Sequence, residues 1–177
     1  MEKQLFSIFS IIVTFLLILY FIPIENQKIF TRPIWHQPKK NIDFELDGKG
    51  TSQQFIDIYS LSHITHGILF YFLIQKTNIP FFQKNGLYIA ILLELIWEIF
   101  ENTPYIINKY RKKEEYKEYK GDSIVNIIGD TLCMILGYYL AHKSSKYALL
   151  YLLISEILLI PFKANFLHLS FGSLLEN

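Results

Sequence analysis

The sequence predicts an all-α protein, a polytopic membrane helical bundle of about five transmembrane helices with a polar pocket among helices 2 to 4. Two observations predict it. Apolar residues make up 51% of the 177 residues and occur in long blocks, which is the pattern of helices that cross the ~30 Å hydrocarbon core of a bilayer. Three of these blocks also carry ionisable or amide residues three or four positions apart, so each set lies on one helix face.

The apolar blocks give five segments, each about long enough to span a membrane at ~1.5 Å of rise per residue. In chain order they cover residues 5–24, 58–74, 87–107, 124–141 and 147–162. No small-x-small cleavage site follows the first segment, which therefore predicts a retained anchor helix rather than a signal peptide. Glu156 and Pro161 interrupt the last segment, which predicts a tilted or half-inserted helix.

Because the chain has no internal repeat or low-complexity tract, residues 1–177 are predicted to form one integral membrane domain. Its parts are an anchor helix 5–24, a loop 25–57, polar-core helices 58–141 and a last helix 147–163. The single cysteine, Cys133, excludes an intrachain disulfide. A net charge of +1 gives no sign of nucleic-acid binding. Membrane lipid is therefore the expected partner, and the cell (inner) membrane is the expected location of this multi-pass chain.

Polar residues inside the second, third and fourth segments form three sets with helical spacing. They are His63 and His66; Glu94, Glu98 and Glu101; and Asp122, Asn126 and Asp130. A charged side chain in hydrocarbon costs at least ~2.5 kcal/mol, so these residues are expected to face each other, water or a metal ion. Counting inward from the side of the two long loops places all three sets within ~15 Å of that surface. This matched depth predicts that the three faces meet in one pocket.

Several motifs, in this order, carry a resemblance to a known family. They are Ser62-His-Ile-Thr-His-Gly67, Glu94-Leu-Ile-Trp-Glu-Ile-Phe-Glu-Asn-Thr-Pro104, Tyr110-Arg111 and Tyr119-Lys-Gly-Asp-Ser-Ile-Val-Asn126, with Asp130 and Gly137. From about Tyr59 to Ala141 the chain resembles the bacterial membrane proteins grouped as DUF2585, a domain of unknown function. Members tend to carry cysteines in the first long loop and an Arg-Asp-Asn near the last helix. This chain has no cysteine in that loop and has Lys163-Ala-Asn165 near its last helix.

The resemblance implies a helical membrane fold and brings no established activity with it. A looser similarity is to the VanZ-like membrane proteins associated with glycopeptide resistance. That similarity lies in the order of a helix with His, a helix with Glu, then Asp-x-x-x-Asn and a glycine. It is an analogy at the level of the fold, so any function must be argued from the site itself.

The first functional hypothesis is a membrane-embedded, metal-dependent hydrolase or transferase that acts on a lipid or envelope-precursor head group. Imidazoles and carboxylates one helical turn apart suit Zn, Mn or Fe, although the Glu-x-x-His and His-Glu-x-x-His signatures are absent. The candidate metal ligands are His63, His66, Glu94, Glu98, Glu101, Asp122 and Asp130. The candidate catalytic residues are Glu98, Asp122, Asn126 and Asp130. The candidate substrate-binding residues, a cationic rim suited to a phosphate head group, are Arg111, Tyr119 and Lys120.

The second hypothesis is a non-enzymatic membrane binding or resistance factor with a structural polar core. In such a core His63 or His66 neutralises a glutamate of the third segment, and Asp122 caps the fourth helix with the help of Ser123. Asp130 lies in mid-helix, where a capping role is not available. Residues 102–104, Asn-Thr-Pro, are expected to end the third helix. A carboxylate-lined proton path is a third and less favoured hypothesis, because the helices are so few.

Overall fold

The computed structural model describes residues 52–112, 116–162 and 164–167, together with Ile11 and Val13. Within these residues the chain is helical and contains no β-strand. Between Ser60 and Leu159, outside the undescribed residues 113–115, six α-helices follow one another: α1 Ser60–Lys76, α2 Pro80–Lys84, α3 Gly86–Glu101, α4 Pro104–Tyr110, α5 Ile124–Lys143 and α6 Ser145–Leu159. A 3-10 turn, Ile160–Phe162, continues α6. The all-α class predicted from the sequence is confirmed.

Two helical stretches of the described chain are long and apolar enough to cross a membrane. They are Ile124–Lys143 and Ser145–Phe162. The second and third predicted segments correspond to α1, of 17 residues, and α3, of 16 residues. Segment 5–24 lies outside the described residues except for Ile11 and Val13. The count of five spans therefore stays a prediction.

The apolar side chains of α6 support its assignment to a membrane. Leu149, Leu153, Ile157 and Leu158, spread along the helix, are exposed. A large exposed apolar surface is uncommon on soluble monomers and typical of contact with lipid or another protein. This exposure complements the length and hydropathy of the stretch.

The third predicted segment divides into two helices near its end. The apolar run continues to residue 107, but α3 ends at Glu101 and α4 begins at Pro104. Thr103 has an extended backbone, and its hydroxyl accepts a hydrogen bond from the N–H of Ile106 at 3.5 Å. Proline suits the first position of a helix because its missing N–H would have no helical partner there. The helix end predicted at residues 102–104 is confirmed, and the segment 87–107 is corrected to two helices.

The chain forms two compact units, each built from two stretches of sequence. Unit 1 combines the residues up to Asp57 with Ile91–Gly129. Unit 2 combines Ile58–Ala90 with the residues from Asp130 onward. Because α3 and α5 run through these boundaries, each of them contributes residues to both units.

Unit 2 is held together by close contact between α1 and the later part of α5. Its buried core contains Ile64, Ile68, Ala141 and Ala148. A Cβ on Gly67 would lie 1.9 Å from the backbone oxygen of Met134. The two helix backbones therefore approach each other as closely as glycine permits, which is a common way for helices to pack in membranes.

The chain after α6 returns to contact that helix. Glu156 accepts hydrogen bonds from the Asn165 side chain at 3.0 Å and from the N–H groups of Phe166 at 2.8 Å and Leu167 at 3.3 Å. The helix runs through Glu156 without a break, and Pro161 lies in the 3-10 turn after it. The predicted interruption at Glu156 is thus corrected, because this carboxylate accepts hydrogen bonds from donors that a returning chain supplies.

Unit 1 has two small apolar clusters of its own. Ile124 and Ile127, at the start of α5, pack with Ile99 of α3. Ile107 and Tyr119 form the second cluster. The loop before α5 passes through Gly121 with a backbone φ of 82°, a conformation that glycine adopts without steric cost. This turn brings the residues that follow it back to the end of α3.

Candidate functional site

The structure buries most of the side chains that the sequence singled out. At most 5% of the surface is exposed for each of His63, Glu94, Glu98, Asp122, Asn126 and Asp130. His66 and Glu101 are half-buried. Burying a carboxylate is costly unless a cation, a metal ion or hydrogen-bond donors compensate its charge. The compensating groups therefore decide what each of these residues does.

In unit 2, His63 of α1 faces Asp130 of α5. The His63 Nε2 and Asp130 Oδ2 atoms lie 3.7 Å apart, beyond the usual range of a hydrogen bond. Two ligand atoms held at 2.0–2.2 Å by one tetrahedral zinc ion would lie about 3.3–3.6 Å apart. The other oxygen of Asp130, Oδ1, accepts a hydrogen bond from the hydroxyl of Ser60. The serine orients the carboxylate and leaves Oδ2 directed towards the imidazole.

His66, one turn along α1, adds a second imidazole to this group. The ring centroids of His63 and His66 are 5.0 Å apart, with the rings nearly perpendicular at 74°. Two imidazoles bound to one ion at 2.0–2.1 Å have centroids about 5 Å apart. Unit 2 therefore holds two imidazoles and one carboxylate, with His63 close both to Asp130 and to His66.

In unit 1, Asp122 is held by a hydrogen-bond network of its own. The Asn102 side chain donates to Asp122 Oδ2, and the backbone N–H of Asp122 donates back to Asn102 Oδ1 at 2.8 Å. The Tyr119 hydroxyl donates to Asp122 Oδ1 at 2.7 Å. Both carboxylate oxygens thus accept hydrogen bonds, so this charge is compensated by donors of the protein itself.

Ser123 caps α5. Its hydroxyl accepts a hydrogen bond from the N–H of Asn126 at 3.1 Å and donates one to the backbone oxygen of Gln53 at 3.1 Å. The second hypothesis gave this cap to Asp122 with the help of Ser123. The structure gives it to Ser123, because the Asp122 carboxylate accepts from Asn102 and Tyr119 instead.

Two tyrosines of unit 1, both outside the two candidate membrane spans, have pKa values raised above the usual range. For Tyr110 the negative charge of Glu101, whose carboxylate accepts its hydroxyl hydrogen bond at 3.2 Å, is the largest cause of the raised pKa, followed by burial. For Tyr119 burial is the largest cause of the raised pKa, followed by the charge of Asp122. Both phenols therefore remain protonated donors over the physiological pH range.

We expect a loss of stability at alkaline pH from these two phenols. A tyrosine whose pKa is higher in the folded than in the unfolded protein contributes stability that is complete below pH ~10 and is lost as the pH rises further. The free energy of unfolding in detergent, measured from pH 8 to 11.5, should fall above pH ~10. The fall should be smaller in Tyr119→Phe. An equal fall in the variant and the parent would contradict the assignment.

Removing Asn102 should destabilise unit 1 strongly. Asn102→Ala deprives Asp122 of one side-chain donor and leaves its backbone N–H without that acceptor, at a cost of about 2–3 kcal/mol. Asn108→Ala, which removes a half-buried amide that accepts from Arg111, is the matched control and should change stability far less. Thermal or denaturant unfolding in detergent gives the comparison, and equal losses would show that the network carries no particular weight.

The amide of Asn126, in the first turn of α5, is a further buried polar group of unit 1. It is fully buried, and neither its nitrogen nor its oxygen has a hydrogen-bond partner among the described residues. A buried polar group left in this state costs about 1–3 kcal/mol. Such a group marks a place where a bound molecule can supply the missing partner.

The comparisons with known proteins agree with the sequence motifs. The family described as "Protein of unknown function (DUF2585)" matches residues 38–170. The chain belongs to this family. Its relatives include a UPF0314 protein of Sinorhizobium fredii, which is 43% identical over 101 residues; the match covers 55% of this chain and 50% of the relative. A UPF0314 protein of Agrobacterium fabrum is 44% identical over 96 residues, which cover 53% of this chain and 48% of the relative. A UPF0314 protein of Brucella anthropi is 40% identical over 92 residues, which cover 52% of this chain and 47% of the relative.

The chain spans about half the length of these curated relatives. No solved structure matches. The DUF2585 resemblance stated from the motifs is thus confirmed, and the names of the relatives give no activity. The function of this DUF2585 chain must be argued from its own side chains.

The predicted site residues fall into groups that differ in their surroundings. His63, His66 and Asp130 come together in unit 2, whereas Asp122 belongs to a hydrogen-bond network in unit 1. Glu94 and Glu98 lie buried on α3. The single pocket shared by all three helix faces stays a prediction, as do the metal-binding roles of Glu94, Glu98, Glu101 and Asp122.

The three predicted substrate-binding residues also lie in unit 1. The guanidinium of Arg111 donates to the backbone oxygen of Tyr119 at 2.7 Å and to Asn108 at 3.3 Å. Tyr119 is buried, and Lys120 is exposed. Arg111 therefore fixes the loop before α5, and a role for the three residues in substrate binding stays a prediction.

Sequence reasoning missed Ser60 as the donor to Asp130 and Asn102 as the partner of Asp122. The serine carried a signal, because it precedes His63 by three residues and so shares its helix face. The pairing of Asn102 with Asp122 carried no signal in the sequence, since it depends on the path of the chain between them. Phe166, whose ring lies 5.8 Å from that of His66, was also missed for want of any local pattern.

Proposed function

We propose that this DUF2585 protein is a multi-pass protein of the cell membrane that binds one transition metal ion through His63, His66 and Asp130. The observation that carries the proposal is that the His63 imidazole in unit 2 lies close both to the Asp130 carboxylate and to the His66 imidazole. One carboxylate oxygen lies 3.7 Å from an imidazole nitrogen, and a second imidazole has its centroid 5.0 Å from the first. Two imidazoles with one carboxylate, leaving a coordination position open, form the ligand set of catalytic zinc sites and of non-haem iron sites.

The chemistry proposed for this ion is hydrolysis of, or group transfer to, a lipid or envelope-precursor head group. A metal ion with an open position lowers the pKa of a bound water molecule and polarises a phosphoryl or carbonyl oxygen of the substrate. A substrate carried by lipid suits a protein with an exposed apolar helix such as α6. Zn, Mn and Fe are the ions that this ligand set favours. The catalytic roles predicted from the sequence for Glu98 and Asn126 stay predictions.

If the three side chains bind one ion, substituting any one of them should release that ion from the protein. The protein, purified in detergent without chelators and dialysed against Zn, Mn or Fe, should retain about one ion per chain, because the three proposed ligands form one site. His63→Ala and Asp130→Asn should reduce the retained metal to background in elemental analysis. His142→Ala removes an exposed imidazole elsewhere in unit 2, and this variant should retain the metal in full.

Two outcomes would contradict the metal site. One is a parent protein that retains no ion after loading with all three metals. The other is a loss of metal that is the same in Asp130→Asn and His142→Ala, which would point to adventitious binding by histidine.

A non-enzymatic factor with a structural polar core is the second candidate. The network around Asp122 favours it for unit 1, because Asn102 and Tyr119 supply donors to both oxygens of the carboxylate. This candidate predicts that the protein folds without bound metal and is no more stable after metal has been added. The elemental analysis described above therefore separates the two candidates.

A further inference from the structure

The imidazole of His66 is enclosed by aromatic rings on two sides. Phe70, one turn further along α1, has its ring centroid 5.8 Å away at an interplanar angle of 31°. Phe166, from the chain that follows α6, has its centroid 5.8 Å away at 84°. His63 is a third ring neighbour, with its centroid 5.0 Å away. Phe166 is the only one of the three neighbours that α1 does not itself supply.

The position of Phe166 is set by Glu156. The Glu156 carboxylate accepts the N–H of Phe166 at 2.8 Å, the N–H of Leu167 at 3.3 Å and the side-chain amide of Asn165 at 3.0 Å. Ala164, just before them, is fully buried and donates its N–H to the backbone oxygen of Leu159 at 3.2 Å. Residues 164–167 are therefore anchored at both ends of the turn.

We propose that Phe166 holds the His66 imidazole in its metal-binding orientation, and that Glu156 is the positioning residue that holds Phe166. This inference rests on the metal site proposed above. Neither Glu156 nor Phe166 is a ligand of the ion. A side chain already fixed by its neighbours loses less rotational freedom on binding, so supporting residues raise the affinity of a site that they do not contact.

Metal affinity tests the inference in the full-length protein. Chelator-treated protein in detergent is titrated with Zn²⁺, and Phe166→Ala and Glu156→Gln should each raise the Kd by about 10–100-fold, the usual effect of losing a supporting residue. Phe166→Tyr keeps the ring and should restore parental affinity. Phe162→Ala removes an exposed aromatic ring from the same stretch and serves as the matched control.

The double variant shows whether Glu156 acts through Phe166. If it does, Glu156→Gln combined with Phe166→Ala should bind Zn²⁺ as Phe166→Ala does, because the ring that Glu156 positions is already gone. Losses of affinity that multiply in the double variant would overturn the positioning role. Parental affinity in Phe166→Ala would overturn the role of the ring.

A second readout does not depend on metal. In metal-free protein, carbethoxylation of His66 by diethyl pyrocarbonate, followed by mass spectrometry, should be several-fold faster in Phe166→Ala and in Glu156→Gln than in the parent. The rate at the exposed His142 should not change. Unchanged His66 rates would contradict the enclosure. Faster His66 rates in a protein whose parent binds no metal would leave the enclosure standing and reject the proposed metal site alone.

Discussion

Gly67→Ala and Gly137→Ala are expected to destabilise the protein more than any other single added methyl group in unit 2. A Cβ on Gly67 would lie 1.9 Å from the backbone oxygen of Met134, and one on Gly137 would lie 1.9 Å from that of Ile64. Both clashes are with helix backbone, which can yield only if α1 and α5 separate. Overpacking of a close contact costs about 1–3 kcal/mol or more, and we expect each variant to reach the upper part of that range.

Gly86→Ala is the matched control for this close helix contact. Its Cβ would lie 2.2 Å from the hydroxyl oxygen of Tyr138, the far end of a side chain that can move aside. Thermal unfolding in detergent should show a fall of about 5–10 °C for Gly67→Ala and Gly137→Ala, at 2–4 °C per kcal/mol. The fall for Gly86→Ala should be clearly smaller. Equal midpoints for all three variants would show that α1 and α5 are not in close contact.

Replacing Asp130 should remove both stability and metal. Asp130→Ala leaves the buried Ser60 hydroxyl without its acceptor and His63 without the carboxylate that faces it. Leaving a buried polar group without its partner typically costs about 1–3 kcal/mol. Asp130→Asn keeps the shape and the acceptor for Ser60 but removes the charge, so it should lose metal while losing less stability.

Lys120→Ala is the surface control for Asp130, because Lys120 is exposed. Unfolding and elemental analysis of the same preparations separate the two effects. If Asp130→Ala and Lys120→Ala were equally stable and retained equal metal, Asp130 would have neither a structural nor a binding role. If Asp130→Asn retained metal at the parental level, Asp130 would not be a ligand.

The sequence identified the buried polar residues because hydrocarbon and carboxylate are incompatible. Glu94, Glu98 and Asp130 lie in apolar helices without a capping role, so their burial followed from helical spacing and the cost of exposing a charge to lipid. The structure buries all three. The depth of a residue along a helix follows from a rise of ~1.5 Å per residue. The rotation of each helix about its axis cannot be derived in this way. The sequence therefore did not show which of several carboxylates faces His63.

Contacts that depend on loop paths could not be read from the pattern. Asn102 and Asp122 pair because the loop between α4 and α5 turns at Gly121, where the backbone φ is 82°. Apolar periodicity carries no information about such a turn. The end of α3 was easier to place, because Thr103 and Pro104 give a recognised helix start.

The contacts of α6 with residues 165–167 also could not be predicted from the sequence pattern. An acid and a proline in an apolar stretch suggested an interrupted last helix, yet α6 continues through Glu156. The carboxylate is stabilised by donors from residues 165–167, which no spacing rule connects to it. The contact between Phe166 and His66 follows from this return of the chain and was equally invisible in the sequence.

X-ray absorption spectroscopy of the zinc-loaded protein tests most directly whether His63, His66 and Asp130 share one ion. The predicted spectrum contains nitrogen and oxygen neighbours at about 2.0–2.1 Å, with no sulfur at about 2.3 Å. It also contains the outer-shell scattering of two imidazole rings, which should fall to one ring in His66→Ala and remain at two in His142→Ala. A spectrum without imidazole scattering, or one that His66→Ala leaves unchanged, would contradict the proposed site.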